Sequence, residues 1–214
     1  TSREPQYVSL AGGASGAAPT AGELQTAYAK FANDEKFDIS LIVMGPANGA
    51  TAKYVVDNVA EIRKDCMVFV SPAAASVVDN VGGEATSIVA EIASYTRSSY
   101  AVFDSGYKYT YDRFNNEFRY LPCNPDVAGL MVRTSIEAYP WFSPAGLTRG
   151  VLNNAIKLAY NPSKAERDVL YGSRINSIVN QRGSGIILFG DKTALAYSSA
   201  FDRINVRRLF LTVE

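Results

Sequence analysis

The chain has 214 residues, with 21 basic and 21 acidic side chains and no histidine. That length suits one domain with a substantial core, and zero formal charge excludes the overall positive excess of a phosphate-backbone binder. The missing imidazole excludes Ser-His-Asp and Cys-His catalysis, and His-based zinc sites, within this chain.

Two cysteines, Cys66 and Cys123, are too few for a disulfide framework and too far apart for a metal knuckle, so both read as buried thiols. No apolar run approaches the ~18 residues of a membrane-spanning helix. Thirteen tyrosines and ten phenylalanines exceed what a minimal core needs. Such aromatic surface points towards protein interfaces.

The sequence does not open on Met, and residues 1–22, with Gly12-Gly13-Ala14-Ser15-Gly16, read as a flexible linker or the remnant of a neighbouring domain. The glycines lack the spacing of a phosphate-binding GxGxxG loop. Residues 23–214 are expected to form the α/β domain proper. A helix is predicted within 23–36, with Leu24, Tyr28 and Phe31 on one face. The apolar run Ile39–Met44, bounded by Gly45-Pro46, reads as a buried strand. Thr51 is placed to cap a helix running to Lys64, and Cys66–Val70 reads as a second strand, completing a βαβ unit. A ligand of an α/β sheet would meet Gly45, Pro46, Asn48 and Gly49 at the end of the first strand. These residues supply no charge and read as a tight strand-to-helix turn.

Glu84–Arg97 is predicted helical, and Ala101-Val102-Phe103 begins a third strand. Tyr107–Tyr111 and Phe118–Leu121 flank Asn115-Asn116, the pattern of a β-hairpin. It is expected to project Lys108, Arg113 and Arg119 among tyrosines, with Asp104, Asp112 and Glu117 cancelling their field. A helix is predicted from Asn124-Pro125-Asp126 to Ala138. Tyr139-Pro140-Trp141-Phe142-Ser143-Pro144 then forms an aromatic loop stiffened by two prolines, suited to cover a core or dock on a neighbour. An amphipathic stretch follows around Ile156 and Leu158, and Ser163 with Glu166 marks another helix start. After Asn176–Val179, the turn Arg182–Gly185 leads to the buried strand Ile186–Phe189. Gly190-Asp191-Lys192-Thr193 lacks the order of a P-loop. Arg203–Val213 closes the sequence as a helix, with Arg207 and Arg208 expected on its exposed face.

Charge divides unevenly. Residues 1–148 carry 11 basic and 16 acidic side chains, whereas residues 149–214 carry 10 and 5, so balances of −5 and +5 cancel. A chain divided in this way can pack against copies of itself, because complementary potentials steer such contacts.

Three segments, taken in order, resemble the tail sheath protein of contractile-tailed bacteriophages. They are Tyr139-Pro140-Trp141-Phe142-Ser143-Pro144-Ala145-Gly146-Leu147-Thr148-Arg149-Gly150, Leu188-Phe189-Gly190-Asp191-Lys192-Thr193, and Phe201-Asp202-Arg203-Ile204-Asn205-Val206-Arg207-Arg208-Leu209-Phe210. They lie within roughly a third of the sequence. The resemblance implies a layered αβα domain with a mixed sheet, of subtilisin-like topology without protease activity, plus the β-hairpin. It implies a structural subunit, not an enzyme, with no cofactor, catalytic residue, metal, nucleic-acid or small-molecule site. Its partners would be copies of itself in six-fold rings, the tail tube protein, and the baseplate and tail terminator proteins. It would reside in the virion after assembly in the host cytoplasm. The same resemblance implies a core truncated at both ends, because the family extends further. Trp141, Phe142, Arg149, Arg203, Arg207 and Arg208 are the candidate interface residues, the arginines meeting acidic groups on a neighbour.

Two other readings remain open on the residues. An α/β enzyme would use Asp104, Asp191 and Lys192 at the strand ends, and a pocket joining them would favour it. A nucleic-acid-binding fragment would use the basic last third.

Overall fold

The computed structural model describes residue 9 and residues 11–14, 16–46 and 49–213, with the side chain of Thr212 outside that description. Much of the expected linker, and Asn48 of the strand-to-helix turn, lie outside the described residues. Thr20 caps helix α1 (Ala21–Ala29) through a reciprocal box with Glu23, which satisfies two backbone donors at the helix start. Strand β1 (Leu41–Val43) is followed by helix α2 (Gly49–Val55), a π-helical turn (Val56–Ala60), helix α3 (Glu61–Arg63) and strand β2 (Met67–Val70). The expected βαβ unit is present. Its helix begins at Gly49, so Thr51 lies buried inside the first turn and does not cap it.

Arg63 is almost fully buried at the end of this unit. Its guanidinium pairs with Asp65 and donates to the carbonyls of Phe31, Asn33 and Phe37 at 2.8–3.1 Å. One side chain thus ties the irregular segment between α1 and β1 to the sheet.

Helices α4 (Ala74–Val77) and α5 (Glu84–Ala93) lead to strand β3 (Ala101–Asp104). Helix α5 ends four residues before the predicted Arg97. The hairpin of β4 (Tyr107–Asp112) and β5 (Glu117–Pro122) turns at Asn116, in the left-handed region at φ 54°. Helix α6 (Asn124–Glu137), helix α7 (Gly146–Arg149), strand β6 (Lys157–Leu158) and helix α8 (Lys164–Gly172) follow. Ser163 and Glu166 form the predicted capping box of α8. Strand β7 (Ile175–Asn176), the hairpin of β8 (Ile178–Gln181) and β9 (Gly185–Leu188), and helix α9 (Ile204–Val213) complete the described elements.

The principal sheet has the order β1-β2-β3-β7 with every pair parallel. Period-2 alternation sends Val68, Val70, Ala101 and Phe103 to one face, where α2, α5 and α8 contribute Val55, Ile88, Ile92 and Leu170. Met67, Phe69 and Val102 turn to the other, meeting Met131 of α6, Ile204 of α9, and Ile178 and Leu188 of the second hairpin. Strands covered on both faces read as continuous apolar runs, as Met67–Val70 does.

The expected subtilisin-like topology with one mixed sheet is not what the chain adopts. Four parallel strands form the central sheet, while the antiparallel pairs fall into two small separate sheets, β5-β4-β6 and β8-β9. The short turns at Asn116 and Gly183 close local antiparallel pairs, and no strand of those pairs joins the parallel sheet. The amphipathic stretch around Ile156 and Leu158 supplies strand β6. Its residues pair with Tyr109 and Lys108 of β4.

Candidate assembly interface

The three motif segments fold into one interlocked surface around Asp191. Beyond the end of α6, Tyr139 stacks on Trp141 with ring centroids 4.8 Å apart and planes 7° from parallel. Phe142 lies 6.1 Å from Tyr139 on the same stack. The three rings are 56%, 42% and 40% exposed. Arg149, on α7, stacks 5.2 Å over Phe142 and donates from Nε to the Ser143 carbonyl at 2.7 Å, fixing the loop from behind.

Ser143 Oγ donates to Asp191 Oδ2 at 3.0 Å, while Arg203 donates to Asp191 Oδ1 at 2.5 Å. The Asp191 carbonyl accepts the Ile204 N–H at the first residue of α9, at 2.8 Å. The Asp191 carboxylate also holds the Arg203 guanidinium above its ordinary pKa, chiefly through their hydrogen bond. Asn205 Nδ2 reaches the Trp141 carbonyl at 3.2 Å, and Thr193 Oγ1 donates to the Phe201 carbonyl at 2.7 Å.

Two motif glycines permit this closeness. A Cβ on Gly150 would stand 2.6 Å from the Gly146 carbonyl oxygen and 2.8 Å from that of Leu188. One on Gly190 would stand 2.7 Å from Asn176 Oδ1. Beside this junction, a cleft of about 560 Å³ opens between α7, α8 and the end of β9. Its walls include Lys164, Arg167, Tyr171, Phe189, Asp191 and Arg203.

Trp141, Phe142, Arg149 and Arg203 are therefore gathered on one side of the molecule. Arg207 and Arg208 are not exposed as expected. Arg207 is buried, with its guanidinium 4.3 Å from the Tyr100 ring and 4.1 Å from the Phe201 ring, and it donates to Ser99 Oγ at 2.7 Å. Arg208 is half-buried and donates to the Met131 carbonyl and Ser135 Oγ of α6 at 2.9 and 2.7 Å. Their long stems and planar heads pack α9 onto the domain, a use of arginine that charge counting misses.

In the first hairpin Lys108 is buried and pairs with Asp126 at 2.6 Å, so it is not projected as expected, whereas Arg119 pairs with Glu117 and Asp112, the acids expected to cancel its field.

The carboxyl edge of the parallel sheet, where an α/β enzyme would hold its ligand, is filled by a polar network. Asn124 exchanges hydrogen bonds with the backbone of Gly45 at 2.8 and 3.0 Å, and its N–H reaches Ser71 Oγ. Ser71 Oγ donates to Asp104 Oδ2 at 2.7 Å, and the Gly106 N–H meets Oδ1 at 2.9 Å. Asp104 is 1% exposed, and burial pushes its carboxyl up to about 7.

Asp104 does not line the cleft that holds Asp191. Lys192 lies 3.6 Å over the Tyr171 ring. The three residues of the enzyme reading are not brought into one pocket. Among the described residues, no group of three or more Cys, Asp or Glu side chains could hold a metal ion. Cys66 and Cys123 are buried free thiols, and burial raises the Cys66 thiol to about 12.

Ser143 and Asp191 are the residues whose joint structural role the sequence concealed. Each is an ordinary polar residue in a loop, and only the tertiary pairing of two distant segments makes them a latch.

A family model for the phage tail sheath protein central domain matches residues 13–194. The tail sheath protein of Enterobacteria phage T4 is 39% identical over 224 aligned residues, covering 95% of this chain and 33% of that protein. That of Vibrio phage KVP40 is 42% identical over 175, covering 74% and 26%. The chain thus spans about a third or less of the length of these curated relatives. The contracted helical sheath of the anti-feeding prophage shares the fold, with a TM-score of 0.64, 18% identity and coverage of 90% of this chain and 48% of the other. With most of its length matched by that family model and by these relatives, the chain belongs to the phage tail sheath protein family.

Proposed function

We propose that this chain is the core of a structural, non-catalytic subunit of a contractile tail sheath, carried in the virion and assembled in the host cytoplasm. Copies stack as six-fold rings around a tail tube. Their rearrangement on contraction drives the tube through the host envelope. Residues 23–214 act as the core and residues 1–22 as a linker to a neighbouring segment.

The observation that carries this reading is 39% identity to the T4 tail sheath protein across 95% of the chain. Structures similar in fold are described as a contracted sheath complex and as a baseplate, which extends the proposed partners from copies of the chain to baseplate, tube and tail terminator proteins. The exposed Tyr139–Trp141–Phe142 stack supplies the kind of rigid aromatic surface that anchors protein contacts. Arg149 supports the stack, and Arg203, 46% exposed at its side chain, keeps an open edge towards a neighbour's carboxylates.

Negative-stain microscopy of the full-length protein tests the proposal. Tubes with six-fold symmetry are expected. A uniform monomer at high concentration would overturn it.

A further inference from the structure

We propose that the cleft beside α8 is a socket for the acidic turn Asp79–Glu84 of a second copy, so that subunits join head to tail through it. The inference rests on the sheath reading and names a contact within it.

The socket is built on one flank of α8. Lys164, Arg167, Asp168 and Tyr171 stand at i, i+3, i+4 and i+7, and all line the cleft. Leu170 points inward and is fully buried, and α5 packs against the helix on that inner side. The walls of the cleft are aromatic, with Phe189 53% and Tyr171 39% exposed. Cations rest on both rings: Arg167 lies 5.5 Å over Phe189, and Lys192 lies 3.6 Å over Tyr171. Of the two carboxylates in the wall, Asp191 is engaged by Ser143 and Arg203. Lys164 and Arg167 against Asp168 leave the cleft positive, and Lys192 lies just outside it against Tyr171. Burial, with the neighbouring Arg174 and Arg203, lowers the pKa of Lys192 against the opposing pull of Asp202 and Asp191. An apolar group flanked by carboxylates fits such a site.

The chain carries that shape elsewhere. Residues 65–96 contain Asp65, Asp79, Glu84 and Glu91 and no basic residue. Within them Val81 is 95% exposed at the tip of a turn, between Asp79 and Glu84. The turn is rigid. Asp79 and Gly82 take φ values of 60° and 82°, and Asn80 Nδ2 donates to the Ser76 carbonyl and to Ser87 Oγ at 3.0 Å. The Gly82 N–H meets Glu84 Oε2 at 2.8 Å. A preformed tip loses little entropy on docking.

This turn feeds α5, which packs on the inner side of α8, whereas the cleft opens on the outer flank. The turn and the cleft are different surfaces, so the contact they make is heterologous. Heterologous contacts propagate into rings or helices.

The test uses full-length subunits carrying Val81→Cys or Phe189→Cys, mixed, assembled and oxidised. Cys66 and Cys123 are buried, and each single variant oxidised alone controls for any other thiol of the full-length subunit. A cross-linked dimer is expected only when both variants are present. Assembled sheaths without that dimer overturn this inference and leave the sheath reading standing, whereas a wild-type protein that forms no tubes overturns the sheath reading itself.

A charge exchange gives a second readout should a cysteine variant fail to assemble. Asp79→Lys with Glu84→Lys, or Lys164→Glu with Arg167→Glu, should each raise the concentration needed for assembly by about ten-fold or more, and mixing the two variants should restore it. Unchanged assembly by either variant alone, or no recovery on mixing, overturns the inference.

Discussion

Ser143 Oγ lies 3.0 Å from Asp191 Oδ2, across 48 positions of sequence. This contact fastens the aromatic loop to the segment that follows β9. The same carboxylate grips Arg203, at the entry to α9. Three loops therefore share one anion.

Replacing that anion should loosen all three. Asp191→Ala removes two hydrogen bonds to a carboxylate, one of them from a guanidinium, at a partly exposed site. A loss of about 1.5 kcal/mol is expected. Urea denaturation measures it, and Ser143→Ala combined with Asp191→Ala should cost little more than Asp191→Ala alone. Full additivity of the two would show that the contact carries no coupling.

Arg207 should behave as a core residue. Its guanidinium lies against Tyr100 and Phe201, so Arg207→Glu places a carboxylate against two ring faces and should cost about 3 kcal/mol or more. The monomer itself should melt earlier, and lost assembly in this variant reports folding. Arg207→Lys should rescue little, since an ammonium cannot reproduce the planar contacts. A melting temperature unchanged in Arg207→Glu would contradict this placement.

Asp104 gives a pH dependence of defined sign. Burial pushes its carboxyl up to about 7, the nearby Asp126 adds to the rise, and hydrogen bonds from Gly106 and Ser71 oppose it. Lys108, paired with Asp126 at 2.6 Å, is the neighbouring cation. The unfolded chain releases this proton near 3.8. Between the two values the folded state holds a proton that the unfolded state has lost, so this contribution to stability falls as pH rises from about 4 to about 7. Denaturation midpoints across that window should decline less in Asp104→Asn than in the wild type. Parallel slopes would exclude the assignment.

Trp141 separates folding from assembly. Trp141→Ala removes a stacked but half-exposed ring and should cost about 1 kcal/mol in monomer stability. If the ring anchors a subunit contact, assembly of the full-length protein should suffer by about 2 kcal/mol or more. A midpoint shift without an assembly defect would remove Trp141 from the interface.

Most of the secondary structure was legible because it follows local rules. Met67–Val70 is apolar throughout, as a doubly covered strand must be. Ser163 and Glu166 announced α8, and Asn115-Asn116 announced the first hairpin. The sheet order was not legible, since strand pairing depends on contacts between distant segments. Strand β6 was hidden because Lys157 and Leu158 become a strand only by pairing with β4.

On the candidate interface, the aromatic loop was conspicuous in composition. The fate of the arginines was not, because a guanidinium over a buried ring and one in solvent look alike in sequence. Burial of Arg207 is decided by Tyr100, more than a hundred residues earlier.

The Arg63 guanidinium closes three carbonyls from the segment between α1 and β1, residues 30–40. A single cation holds Phe31, Asn33 and Phe37 at once, and the Phe31 and Phe37 rings meet at 5.3 Å beside it, so these contacts are made or lost together. The amides of this segment should exchange with solvent as a cooperative unit, all released by the same opening event.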